Sequence, residues 1–160
     1  MRLSPVELVL LSLAALVVAV TVLHRSGGSG RSGPVVRASW SLTPGVVNPD
    51  VTQATIRSTV CRSGWTRTVR PPVSYTNALK ARGLRQYGLR GPPSAFQEDR
   101  LISLELGGNP TDARNLWPEP YPRAAAVDQL ENELNHRVCA GSLSLVEAQR
   151  EESAVKHRDG

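Results

Sequence analysis

Residues 97 to 120 read QEDRLISLELGGNPTDARNLWPEP, and the fold is decided by how they are read. From 100 to 106 the side chains alternate: Ile102, Leu104 and Leu106 point one way, Leu101, Ser103 and Glu105 the other. That is the period of a strand. Gly107-Gly108-Asn109-Pro110 forces a turn, and 115 to 118 read as loop. Residues 123 to 141, RAAAVDQLENELNHRVCAG, then set Val127, Leu130, Leu134 and Val138 on one helical stripe, with Gly141 placed to end it. Ser144-Leu145-Val146-Glu147 has the capping-box pattern of a last helix, which fades into a polar tail from 154. Strand, turn, loop and helix in this order describe a ββα unit.

Working outward, residues 43 to 58 open on turn chemistry at Pro44-Gly45 and Asn48-Pro49, after which Asp50 or Thr52 can cap a short helix. Residues 59 to 69, TVCRSGWTRTV, are β-branched and aromatic around Gly64, which predicts a short hairpin or irregular strand ended by Pro71-Pro72. Residues 74 to 88 predict a helix capped by Thr76 and terminated by Gly88, with Leu79, Leu84 and Tyr87 at helical spacing. Lys80, Arg82, Arg85 and, just beyond, Arg90 lie on its outer face. They are candidate phosphate contacts, set against the plainer reading of a solvated face. The chain has no internal repeats, and its class is α+β with flanking helices.

The N-terminus is of another kind. Residues 8 to 23 are apolar with only Ser12 and Thr21 interrupting, and 24 to 37 are a Gly/Ser/Arg linker. An uncleaved membrane anchor is the reading taken for residues 1 to 23, with a cleaved signal peptide or a buried core helix as alternatives. The foldable domain is then 38 to 153, exported and tethered or secreted, with 154 to 160 as tail. Arg25, Arg31 and Arg37 after the segment, against Arg2 alone before it, argue for the opposite orientation. Two cysteines, Cys61 and Cys139, weigh for export, where an even count suggests one disulfide. Two buried thiols are the alternative. A zinc site is disfavoured by the missing CxxC pair.

Charge is uneven. Residues 24 to 97 hold ten Arg and one Lys against Asp50 alone, while 98 to 160 hold seven bases against twelve acids. A basic half is the footprint of a nucleic-acid or anionic-surface partner. The alternative is that the two halves neutralise one another on folding. No phosphate-cradling glycine loop is present, and no small-molecule substrate is evident.

The order Glu98-Asp99-Arg100, short apolar run, Gly107-Gly108, then Asn115-Leu116-Trp117-Pro118-Glu119-Pro120 and a helix with Leu134-Asn135-His136 resembles the HNH, or ββα-metal, endonuclease superfamily. With TPGVVNPDVT, TVCRSGWTRTVRPPVSYT, VCAG and LSLVEAQ, residues 43 to 149 are similar to small exported bacterial proteins with that core. The resemblance implies Asp99 and Asn135 as ligands of one divalent cation, Mg²⁺ or Mn²⁺, and Asn115 as the brace of a general-base histidine. Arg100 stands where that histidine belongs. A guanidinium stays protonated at working pH and accepts no proton from water. It also repels a nearby cation, and it can pair instead with Asp99, Glu98 or a phosphate. A one-residue shift of the helix would make His136 the ligand without restoring the base.

The functional expectation is a catalytically impaired nuclease homologue that still binds nucleic acid. An active metal-dependent HNH endonuclease and a cell-envelope interaction module without a nucleic-acid role are the rivals.

Overall fold

A computed structural model describes residues 35 to 160, which lie within the unit Gly33–Gly160. The expected N-terminal hydrophobic helix and nearly all of the linker fall outside the described residues. Within them no helix is long and apolar enough to cross a membrane.

The domain is α+β. Helices α1 (Trp65–Val69) and α2 (Val73–Gln86) precede strand β1 (Phe96–Arg100). A loop then leads to strand β2 (Leu116–Pro120), helix α3 (Tyr121–Ala140) and helix α4 (Leu145–Arg158). The strands pair antiparallel, with Arg100 opposite Leu116, Asp99 opposite Trp117 and Phe96 opposite Pro120. One apolar cluster joins Val51, Ile56, Ile102 and Leu106 to Leu134 and Val138 of α3 and Leu145 and Ala148 of α4. A second gathers Val36, Ala38, Leu84, Phe96, Leu101 and Trp117.

The strand predicted over 100 to 106 ends where it was expected to begin. Leu101, Ser103, Leu104 and Leu106 are all buried, so the alternation does not separate a core face from a wet one. The segment instead feeds both clusters, and its backbone groups are satisfied one at a time rather than by a ladder. Leu101 N–H donates to the Asn115 carbonyl at 2.9 Å, and Ser103 N–H to both Glu152 carboxylate oxygens at 3.0 Å. The 3₁₀ turn Leu104–Leu106 then closes on Gly107, whose φ of 76° is left-handed. At Gly108 a Cβ would lie 1.7 Å from the Ile102 carbonyl oxygen, so only glycine fits there.

Other expectations also shift. Residues 115 to 118, read as loop, supply β2, because Leu116, Trp117 and Pro118 are buried against the core. The hairpin or strand expected over 59 to 69 is a series of turns followed by the short helix α1. There Gly64 takes φ 79°, and a disulfide from Cys61 to Cys139 fixes the turn against the end of α3. Helix α2 starts at Val73, directly after Pro72 in the N-cap position, and the Thr76 hydroxyl donates to the Val73 carbonyl inside its first turn. Gly83 of α2 packs on the sheet, where a Cβ would meet Pro118 at 3.3 Å.

Gly141 ends α3 in the left-handed conformation, and Ser144 with Glu147 forms the capping box of α4. Helix α4 does not fade at 154. It runs to Arg158, and Lys156 and His157 near its end are buried.

Candidate functional site

On α4, Leu145, Ala148, Glu152 and Lys156 recur at three- and four-residue spacing, so all four face inward. The last two carry charge into the core. Lys156 is wholly buried, and its Nζ stands 2.7 Å from Glu131 Oε1, 3.0 Å from Asp99 Oδ2 and 3.1 Å from Glu152 Oε1. It also donates to the carbonyl of Arg100. Strand β1 thus supplies Asp99, α3 supplies Glu131 and α4 supplies Glu152, with one ammonium joining three elements.

A lone buried ammonium would be driven to the neutral form, and burial does pull Lys156 downward. The charges of Asp99, Glu152 and Glu131 outweigh that and hold it well above the ordinary lysine range. Three carboxylates around one cation are in excess, and the excess shows on Glu131. Burial, reinforced by Asp99 and Glu152, pushes its carboxyl up to about 9 against the pull of Lys156. Glu152 is raised as well, by burial first, and is opposed by Lys156 and the Ser103 N–H.

The residues singled out in the sequence fall in different places. Asp99 accepts from Lys156. Asn135 lies on α3, and its amide donates to the Glu105 carbonyl at 2.7 Å and the Val60 carbonyl at 3.2 Å, tying two turns to the helix. Asn115 is fully buried. Its Nδ2 donates to the carbonyls of Ile102 and Asn109, while its Oδ1 accepts from Ile102 N–H and Val46 N–H. All its hydrogen-bonding capacity goes to loop backbone.

Asp99 and Asn135 both serve partners within the chain. An ammonium already holds the Asp99 carboxylate, the Asn135 amide nitrogen serves two carbonyls, and no cluster of three His, Cys, Asp or Glu fit for a metal occurs among the described residues. A divalent ion beside Lys156 would meet its full charge.

Arg100 is 6% exposed. It pairs with neither Asp99 nor Glu98; its Nη2 donates to the Pro110 carbonyl at 3.1 Å, and its Nε has no partner. Burial, and next the charge of Arg70, pull this guanidinium below its usual value. Among the described residues, Arg57, Arg62, Arg67, Arg70, Arg82, Arg85 and Arg90 are exposed and have no carboxylate within 4 Å. The acidic half does not neutralise them through ion pairs. Lys80 differs, because its Nζ donates to the Phe96 carbonyl at 3.0 Å.

Two features were missed in the sequence. Lys156 was assigned to the tail, although the i to i+4 pair Glu152-Lys156 continuing the Leu145 stripe was the available signal. His157 was assigned there too. It is buried, its Nε2 lies 3.1 Å from the Thr43 carbonyl, and its ring stacks on Trp40 at 3.5 Å. No known protein family, curated protein or solved structure matches this chain.

Proposed function

We propose that this is a nucleic-acid-binding domain of HNH-like ββα type, exported or membrane-tethered, that has lost cleavage and kept binding. The observation that carries this reading is the set of seven exposed arginines between 57 and 90 without carboxylate partners. Unneutralised guanidinium groups at this density attract a polyanion and release its counterions on contact. The order β1, loop, β2, α3 supports the scaffold part of the reading. Arg100 in the general-base position and Lys156 on Asp99 support the loss of cleavage. In this account Lys156 supplies from inside the chain the positive charge that a divalent metal supplies in a working nuclease.

The test is binding of a fluorescent oligonucleotide to the full chain in mild detergent across a salt series. The expected result is an affinity, measured in EDTA, that falls linearly with salt on a log–log plot and needs no Mg²⁺. Affinity indifferent to salt, or absent, removes the nucleic-acid role and favours a cell-envelope interaction module.

A further inference from the structure

The turn that replaces the expected strand at 59 to 69 shapes two adjoining clefts, of about 350 and 280 Å³. Trp65 lines both; it is half-buried and packs against the apolar core. Arg62 and Arg67 are exposed beside it and, among the described residues, have no carboxylate partner. The Arg67 guanidinium lies close over Gly64, where a Cβ would stand 2.8 Å from its Nη2. The wall opposite is α3, with Asn132 and His136 exposed on the larger cleft, and the Cys61–Cys139 disulfide joins the two walls.

We infer that this double cleft is the site for one nucleotide of a single strand, its base stacked on Trp65 and its phosphates held by Arg62 and Arg67. The inference rests on the nucleic-acid reading above and names the part of the surface that performs it. An aromatic face flanked by guanidiniums is the platform by which proteins hold single-stranded nucleic acid, because every base has a π-face and every linkage a charge. Asn132 and His136 offer polar contacts to base edges. Among the described residues Glu105 is the one carboxylate lining the site, set against Arg62 and the polar Asn132 and His136. A duplex keeps its bases stacked inside, so the site prefers single strands.

The experiment measures binding of a labelled oligothymidylate, the same oligomer in duplex form, and heparin, which has charge but no bases. The natural full chain is compared with Trp65→Ala, Arg62→Ala/Arg67→Ala and Arg82→Ala/Arg85→Ala. Trp65→Ala is expected to weaken the single strand by roughly five- to hundredfold and to leave heparin unchanged. Arg62→Ala/Arg67→Ala is expected to weaken both. Should Trp65→Ala fail to fold, Trp40→Phe leaves Trp65 as the accessible tryptophan, and the oligomer is expected to quench its fluorescence. If the natural chain binds the oligomer but neither cleft variant weakens it and no quenching occurs, this site is wrong while nucleic-acid binding stands. If the natural chain binds no oligomer, both readings fall.

Discussion

The Lys156 ammonium lies 3.0 Å from the Asp99 carboxylate and shares itself with Glu131 and Glu152, so the carboxylate expected to hold a metal is held by the chain's own cation. This contact fastens β1, α3 and α4 at one point. Taking away one partner of a buried ion pair leaves the other charge uncompensated, which costs about 3–5 kcal/mol. Lys156→Met should therefore lose about that much in urea denaturation, although it keeps the volume and the helix. A loss below about 1 kcal/mol would show that the cluster does not hold the elements together.

Buried carboxyl groups set an unusual pH dependence. Glu131 is raised to about 9, and Glu98 and Glu119 to about 7, in each case chiefly by burial. An acid whose folded pKa is raised binds its proton more tightly when folded, so its stabilisation is complete below the unfolded pKa and lost as pH rises through the folded one. Stability should thus fall between about pH 5 and pH 9, the reverse of a domain tuned by salt-bridged carboxylates. The denaturation midpoint measured across that range checks this, and Glu131→Gln should flatten the slope. A midpoint that climbs towards pH 9 would contradict the assignment.

Asn115 gives a third expectation. Its side chain satisfies the N–H of Ile102 and the carbonyls of Ile102 and Asn109 in the loop between the strands, and the N–H of Val46 in the segment before α1. Asn115→Ala orphans the buried N–H and carbonyl of Ile102, at about 1–3 kcal/mol for each group that water cannot reach, and frees two half-buried groups at Val46 and Asn109. We expect a loss of about 3 kcal/mol or more by urea denaturation, with no metal dependence. If the substitution costs nothing, water replaces the amide and the loop does not depend on it.

How far the sequence carried depended on what each segment packs against. The helix stripe of Val127, Leu134 and Val138, the Gly141 stop and the Ser144-Glu147 cap were legible because a helix with one buried face and local caps obeys local rules. Residues 100 to 106 misled because both alternating sets are buried, which removes the contrast periodicity relies on. Lys156 was hidden for the opposite reason. A charge in a polar tail is normally solvated, and it takes Asp99 and Glu131, far off in sequence, besides Glu152 one turn away, to make its burial tolerable. The Cys61–Cys139 link was anticipated from the count of cysteines, but the cleft it frames was not, because a strand was expected there.

That disulfide spans 78 residues and should stabilise by on the order of 4 kcal/mol through loop closure. Cys61→Ser/Cys139→Ser, compared with the natural chain by urea denaturation, should lose most of this. It should also weaken binding of single-stranded oligomer more than binding of heparin, because the cleft walls separate. Equal stability with and without the bond would mean that the reduced chain holds Cys61 against α3 unaided.

The central claim is binding without cleavage, and one measurement addresses it most directly. Supercoiled plasmid is incubated with the full chain in Mg²⁺ or Mn²⁺, with and without EDTA, and the same gel is read for retarded and for nicked DNA. The account predicts retardation that high salt removes and EDTA does not abolish, with the plasmid still supercoiled. Nicking by the natural chain that EDTA abolishes would contradict it, and would mean that Asp99 exchanges Lys156 for a metal.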